Sequence, residues 1–205
     1  MDHQMDMGTP ETTLTIALMA FLIGMLCAYL AGSINFSILL LKILGKPDPR
    51  EQFSGNPGVT NVFRQHGLPL AAVVLVLDVG RAMAVALAAT YFLRDALIPW
   101  AGFGLLLGNR LPCFHGFKGG KGVANYLGFY LILLPLGTGL AVVSYLLTLA
   151  AIRIPFVASF AMVAVLTAFG IYRWGYTYFG LAAVLITTTA IVWFHRSNIK
   201  KLLGR

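Results

Sequence analysis

Acidic side chains are scarce in this 205-residue sequence, which has seven Asp and Glu residues against fifteen Lys and Arg residues. Beyond Glu51 the only acids are Asp78 and Asp95. Catalysis by paired carboxylates, and a carboxylate cage for a divalent cation, both require several acids close together. Most of the chain therefore lacks the residues for either kind of site.

Metal-binding and disulfide patterns are also missing. The two cysteines, Cys27 and Cys113, both lie in apolar segments without metal-ligand spacing, and the four histidines are scattered with no HExxH pattern. These counts exclude a disulfide framework and argue against a zinc site. We expect no metal and no other cofactor.

Charge of either sign is low, at 11% of residues, whereas soluble domains carry roughly 25%. Hydrophobic residues make up 59% of the chain, and its mean hydropathy is +0.82. Such a chain cannot cover a water-facing surface, so the composition predicts an integral membrane protein. We read the net charge of +8 as the basic excess of cytoplasmic loops, and not as a nucleic-acid-binding surface.

The apolar segments predict an all-α fold with about seven transmembrane helices. About 20 apolar residues are needed to cross a bilayer as a helix. The stretch 123–152 exceeds one span and contains Pro135, so we expect it to form two helices that break there. The seven predicted spans are 14–44, 68–93, 98–107 (continuing towards Arg110), the two halves of 123–152, 154–172 and 176–194.

Lys and Arg residues predict the orientation, because cytoplasmic loops are enriched in them. Residues 1–13 contain neither, so we expect a short extracytoplasmic N-terminal segment, a cytoplasmic C-terminus and one compact domain over residues 1–205. On this topology twelve of the fifteen bases face the cytoplasm, Arg94 and Arg173 lie outside, and Arg81 lies within the second span.

A Gly-, Asn- and Ser-rich segment, residues 53–64, falls in the first predicted cytoplasmic loop. Its glycines let a ligand approach the backbone, while Ser and Asn side chains and the guanidinium of Arg64 are donors for an oxyanion. Arg50 lies nearby. The segment therefore favours a phosphate site, with a solvated turn as the alternative.

A second segment, residues 116–124, reads Gly-Phe-Lys-Gly-Gly-Lys-Gly-Val-Ala. A glycine-rich turn that opens a helix directs N–H groups and the positive end of the helix dipole at one point. Val123 stands where a nucleotide-binding P-loop has Ser or Thr, so a nucleotide triphosphatase is disfavoured. The alternative is a basic loop resting on the membrane surface.

Three further positions carry polar chemistry. His195 and Asn198 share a helix face if the last helix continues through them, and the alternative for these residues is an interfacial anchor. Asp78 and Arg81 are three residues apart inside the second span, which predicts an ion pair. Ser33 follows Gly32, where helix packing and a ligand role compete.

The donor-rich segments all map to the cytoplasmic side, so we expect one pocket there that holds phosphate groups beside an apolar wall. Such a pocket suits a reaction between a soluble phosphate compound and a hydrophobic acyl donor. A transporter of a phosphorylated anion would place its site near the bilayer midplane, often between repeats, and we see no repeat.

These motifs resemble the bacterial acyl-phosphate:glycerol-3-phosphate acyltransferase family. The resemblance rests on Gly32-Ser33-Ile34, residues 54–64, Asp78, Leu111-Pro112 with residues 117–124, and His195-Arg196 with Asn198. It implies a multi-pass protein of the bacterial inner membrane whose active site faces the cytoplasm. The chain departs from the family pattern at Asn109, where a His is frequent, and at Arg81, where a Lys is frequent.

The resemblance implies acyl transfer from a fatty acyl phosphate to the C1 hydroxyl of glycerol-3-phosphate. The products are 1-acyl-glycerol-3-phosphate (lysophosphatidic acid) and phosphate, and this is the first acylation step of phospholipid synthesis. The implied partners are acyl phosphate, glycerol-3-phosphate and membrane lipids, with no nucleic acid; the oligomeric state stays open. A family member that binds lipid phosphate without catalysis is the other reading.

Residue roles follow from the same resemblance. Four residues are implied to act in catalysis: His195, Asn198, Lys121 and Asn61. Ten are implied to bind the substrates and their phosphates: Ser33, Arg50, Ser54, Gly55, Asn56, Arg64, Lys118, Gly119, Gly120 and Gly122.

Overall fold

The fold is given by a computed structural model that describes residues 10–204, except the side chains of Pro10 and Thr13. Residues 1–9, part of the predicted extracytoplasmic segment, lie outside this range. The described chain is helical and contains no strand, so the all-α prediction is confirmed. Its helices are α1 Pro10–Ser33, α2 Phe36–Ile43, α3 Val59–His66, α4 Leu68–Phe92, α5 Ile98–Arg110, α6 Val123–Leu133, α7 Pro135–Ile152, α8 Pro155–Trp174, α9 Tyr178–Phe194 and α10 Arg196–Leu202; 3-10 turns occupy Asp95–Leu97 and Cys113–His115.

All seven predicted spans are helical, but they differ in length. Helices α4, α7 and α8 and the apolar run Leu14–Ile43 are long and apolar enough to cross a bilayer, and the bent pair α9–α10 adds a fifth candidate. Helix α5 has 13 residues and α6 has 11, fewer than the roughly 20 that a full crossing needs. The total of seven crossings and the direction of the termini stay predictions.

The first predicted span is not one uninterrupted helix. Helix α1 ends at Ser33 and α2 begins at Phe36. Asn35 explains the break, because its Oδ1 accepts a hydrogen bond from the Ile38 N–H at 3.1 Å and caps α2. Its Nδ2 donates to the Pro57 carbonyl oxygen at 3.3 Å, which ties the break to the segment before α3.

The predicted break at Pro135 is confirmed. Helix α6 ends at Leu133, and α7 begins at Pro135. Proline lacks the N–H that a continuing helix would require, whereas it is tolerated at a helix start. The predicted continuation of the short span to Arg110 is confirmed as well, since α5 ends there.

Two predicted local structures need correction. Residues 59–66 form α3, so half of the segment expected to be a loop is helical. The last helix does not continue through His195: α9 ends at Phe194, and α10 leaves at an angle of 50°. The backbone of His195, at φ −94° and ψ 5°, marks this bend.

Close packing positions the short helices that carry the site. Helices α1 and α5 touch through backbone, because a Cβ at Gly32 would clash with the Leu105 carbonyl oxygen and one at Gly108 with that of Tyr29. Behind them, Phe129 and Tyr130 of α6 are buried with residues of α8 and α9 in the main core. Large apolar side chains on the outer face of α1 are exposed, as expected of a helix that meets lipid.

Candidate functional site

A cavity of about 940 Å³ opens where the segment 53–58, helix α3, the glycine–lysine segment (residues 116–122) and the α9–α10 bend meet. The structure thus brings parts of the segments 53–64 and 116–124 together with His195 and Asn198. Nine of the fourteen sequence-predicted site residues line this cavity: Ser54, Asn56, Asn61, Arg64, Gly120, Lys121, Gly122, His195 and Asn198.

Asn61 braces the loop on one side of the cavity. Its side chain is 1% exposed, and its Nδ2 donates to the carbonyl oxygens of Pro49 at 2.7 Å and Gln52 at 3.3 Å. Its Oδ1 accepts a hydrogen bond from the Ser54 N–H at 3.3 Å. Because the amide is occupied in this way, Asn61 holds Ser54 in place.

The glycine–lysine segment pairs with the end of α5. The Gly119 N–H donates to the Arg110 carbonyl oxygen at 3.1 Å, and the Gly120 N–H donates to that of Asn109 at 2.9 Å. A Cβ at Gly119 would clash with the Asn109 carbonyl oxygen. The glycines therefore permit this close pairing, which differs from the expectation that these two amides face a phosphate.

Gly122 directs the segment into the next helix. It has φ +81°, a left-handed conformation that favours glycine, and α6 begins at the following residue. A Cβ there would also clash with Leu106. The expected helix start after the glycine-rich turn is therefore present, beside Lys121.

Lys121 lines the part of the cavity that carries the basic side chains. Its Nζ donates a hydrogen bond to Asn198 Oδ1, which joins the glycine–lysine segment to α10. Burial, together with repulsion from Arg110, Lys201 and Arg64, lowers the pKa of Lys121 to about 8. A bound anion would relieve that repulsion, so the cluster favours a negatively charged ligand.

His195 occupies the α9–α10 bend and is 3% exposed. Its Nδ1 lies 2.8 Å from the Ile191 carbonyl oxygen, and a carbonyl only accepts, so Nδ1 carries a proton. In the neutral ring Nε2 is then an acceptor. The ring also packs edge-on against Phe160, which fixes its orientation.

An apolar wall continues the cavity away from the charges. It is formed by side chains of α4, α6, α7 and α8, including Leu75, Leu127, Val142, Tyr145 and Met162. One cavity therefore combines a cation-rich end with a surface that suits a hydrocarbon chain. The sequence does not identify the wall residues, because it does not distinguish apolar residues that face a cavity from apolar residues that face lipid or the core.

Asn109, Asn125 and Lys201 also line the cavity, although sequence reasoning gave them no substrate role. In the sequence, Lys201 serves only as evidence for the membrane topology, and no local motif marks Asn125.

The predicted ion pair between Asp78 and Arg81 is present, with Arg81 Nη2 3.1 Å from Asp78 Oδ1. Arg81 also donates to Asn125 Oδ1 at 2.6 Å and to the Ile34 carbonyl oxygen, so it links α4 to α6 and to the α1–α2 break.

Five sequence-predicted site residues lie outside this cavity. Arg50, Gly55, Lys118 and Gly119 line a second cavity of about 1050 Å³. Ser33 lines neither cavity: its Oγ donates to the Tyr29 carbonyl oxygen at 2.9 Å and accepts from the Cys113 N–H at 3.4 Å. Ser33 therefore ties the end of α1 to the turn after α5.

Comparison with known proteins identifies relatives of this chain. A family model described as glycerol-3-phosphate acyltransferase matches residues 22–205. Glycerol-3-phosphate acyltransferases of Methylobacillus flagellatus and Pseudomonas syringae pv. syringae are 40% and 38% identical to the chain, covering 87% and 86% of it and 91% of each relative.

Solved structures are similar as well. The crystal structure of PlsY, an integral membrane glycerol 3-phosphate acyltransferase, in its glycerol 3-phosphate form matches with a TM-score of 0.82 and 33% identity. The match covers 90% of this chain and 92% of the PlsY chain. The lysophosphatidic acid form matches with a TM-score of 0.79 and 32% identity. With its apolar helices, the chain is a multi-pass membrane protein, and it belongs to the glycerol-3-phosphate acyltransferase family.

Proposed function

We propose that this acyltransferase moves a fatty acyl group from acyl phosphate to the C1 hydroxyl of glycerol-3-phosphate, forming lysophosphatidic acid and phosphate. The site faces the cytoplasm at the bacterial inner membrane, and the excess of Lys and Arg in the predicted cytoplasmic loops supports this orientation. The observation that carries the proposal is that one cavity joins a cationic end to an apolar wall.

The cationic end suits two phosphate groups, one on each substrate. Lys121 and Arg64 both line the cavity, and Lys201 lies close enough to Lys121 to lower its pKa. Arg64 offers a planar fork of donors for phosphate oxygens, whereas Lys121 acts as a point charge. The Ser54 hydroxyl and the Asn56 amide, on the opposite loop, supply neutral donors for phosphate or glycerol oxygens.

The apolar wall suits the acyl chain of the donor. Leu75, Leu127, Val142 and Met162 offer no hydrogen-bonding groups in their side chains, so a hydrocarbon chain lies against them without leaving a polar atom unpaired. A donor with its phosphate at the cationic end and its chain on this wall has its acyl carbon between them. The acceptor hydroxyl must reach that point.

The reaction is a direct displacement at the acyl carbon. The C1 hydroxyl oxygen bonds to this carbon, the bond from the carbon to the phosphate oxygen breaks, and phosphate leaves with the electron pair. Acyl phosphate is already an activated anhydride, so no covalent enzyme intermediate is required. Lys121 and Arg64 stabilise the negative charge that grows on the leaving phosphate, and binding both substrates in one cavity aligns them.

The hydroxyl proton passes to a phosphate oxygen of a substrate. The chain offers few bases at the site, and His195 is almost completely buried. His195 Nε2, which also lines the cavity, is a second candidate acceptor. Asn198 acts by holding the Lys121 ammonium through their hydrogen bond.

The decisive experiment supplies the purified protein with acyl phosphate and glycerol-3-phosphate. We expect release of inorganic phosphate and formation of 1-acyl-glycerol-3-phosphate, identified by mass spectrometry. Acyl-CoA in place of acyl phosphate should give no product, and product from acyl-CoA alone would overturn the donor assignment. Tight binding of acyl phosphate and glycerol-3-phosphate without any turnover would instead favour a family member that binds lipid phosphate without catalysis.

A further inference from the structure

The second cavity is separated from the first by the glycine–lysine segment, whose Gly119 lines the second cavity and whose Gly120 lines the first. Five bases and two acids line it: Lys42, Lys46, Arg50, Arg110 and Lys118 with Asp48 and Glu51. They leave an excess of three positive charges. This part of the molecule has no role in the proposed acyl transfer.

The two acids do not neutralise the lysines. Asp48 is paired with Arg50, whose Nη2 lies 2.6 Å from its Oδ2, and this contact lowers the pKa of the carboxyl. Arg50 Nη1 donates to the His115 carbonyl oxygen at 2.7 Å. Among residues 10–204 no ion pair involves Lys42, Lys46 or Lys118. Their charge is therefore available to a ligand.

His115 adds no further charge at neutral pH. Burial, and then the nearby Arg50, lowers the pKa of its imidazole. The cavity therefore attracts an anion through its lysines, without a contribution from protonated His115.

The rim of the second cavity is apolar and aromatic. Phe114 and Phe117 line it and are 60% and 59% exposed. Ile43 and Leu44, beside Lys42, are exposed too. Bases next to exposed aromatic and aliphatic side chains are typical of the membrane interface, where the bases meet anionic headgroups and the apolar groups meet lipid chains.

We propose that the second cavity binds a phosphate group, and that an anionic membrane phospholipid carries it. The lysines hold the phosphate, and the two exposed phenylalanines lie against the glycerol backbone and the upper parts of the chains. Free phosphate has the same charged group but makes no use of the apolar rim, so the lipid is the favoured source.

The test is native mass spectrometry of the purified full-length protein with phosphatidylglycerol, and with phosphatidylcholine for comparison. The Lys42→Gln/Lys46→Gln variant removes two bases of the second cavity that line no part of the first. We expect its apparent affinity for phosphatidylglycerol to fall about tenfold, with weak phosphatidylcholine binding unchanged. Melting temperatures measured without added lipid check that both proteins are folded.

The matched control is Arg196→Gln/Lys200→Gln, which removes two bases near the same end of the molecule that line neither cavity. It should lower the affinity less than about twofold, because a lipid bound in the cavity does not depend on total surface charge. Equal losses in the two double variants would contradict the proposal, as would unchanged affinity in both.

Inorganic phosphate distinguishes the two sources. Displacement of phosphatidylglycerol only at high phosphate concentration supports the lipid as the occupant. Phosphate binding that is lost in Lys42→Gln/Lys46→Gln, with phosphatidylglycerol binding unchanged, would overturn the lipid source and assign the cavity to free phosphate. These measurements need no turnover, so their outcome is independent of the acyl-transfer assay.

Discussion

The two ends of α5 handle charge in opposite ways. Near its N-terminal end, the carboxylate of Asp95 accepts hydrogen bonds from Arg173 at 2.6 and 2.8 Å and from the Tyr176 hydroxyl at 2.5 Å. Beyond its C-terminal end, Lys121 is repelled by the positive charges of Arg64, Arg110 and Lys201. One end pairs its charges within the protein, whereas the other gathers like charges around a cavity.

From this difference we predict a structural role for the paired end and a binding role for the cavity end. A charge that is paired within the protein contributes to the stability of the folded state without a bound ligand. Like charges held together oppose folding, and they gain a favourable partner only when an anion binds. Substitutions at the paired end should therefore change stability, and those at the cavity end should change activity.

Lys121→Ala should give the largest effect on activity. It removes the central cation, and we expect kcat/KM for acyl transfer to fall by about 10²-fold, as for the loss of one strong transition-state donor. The melting temperature should stay the same or rise, since a repelled buried charge is removed. Lys200→Gln, at a base that lines neither cavity, should change kcat/KM less than about twofold, and equal losses in both variants would refute the comparison.

Asn61→Ala should lower kcat/KM by about tenfold, because the backbone of Ser54 loses its brace. A double-mutant cycle tests whether Asn61 acts through Ser54. If it does, kcat/KM of the double variant Asn61→Ala/Ser54→Ala should be no more than about twofold below that of the less active single variant. Additive losses would show that Asn61 contacts substrate independently.

The sequence predicts the helices well because twenty-residue apolar runs and Pro135 act locally. The sequence also predicts three sets of anion-binding residues, and members of all three line one cavity. It does not reveal the α1–α2 break, which depends on Asn35 bonding to the distant Pro57. An isolated apolar run gives no signal of such a contact.

The sequence is least informative about which bases share a cavity. Lys118 and Lys121 are three residues apart, yet they line different cavities. Gly119 and Gly120 pair with the end of α5, so the segment between the lysines becomes a partition. That pairing is a tertiary contact, and the glycine-rich pattern alone is equally compatible with a phosphate loop.

The pH dependence of substrate binding probes the cavity end directly. Because the pKa of Lys121 is lowered to about 8, the free protein loses this charge above about pH 8. Binding a phosphate favours the protonated amine, so KM for glycerol-3-phosphate should rise above about pH 8, by at most about tenfold per pH unit. In Lys121→Arg the guanidinium stays protonated, and the rise should disappear. A rise that persists in this variant would assign the titration to another group.

Asp95→Asn should give the smallest effect, confined to stability. Its ion pair is partly exposed, with 42% of the Arg173 side chain and 35% of the Asp95 side chain accessible, so solvent screens much of the attraction. We expect the melting temperature in detergent to fall by about 2–4 °C. Raising the salt concentration should shrink the difference from the unsubstituted protein, since exposed charges are screened. The kinetic constants should change less than about twofold, because α5 reaches the cavity with its other end. A large loss of activity without a loss of stability would show that the two ends of α5 are coupled, and the separation of roles along this helix would then fail.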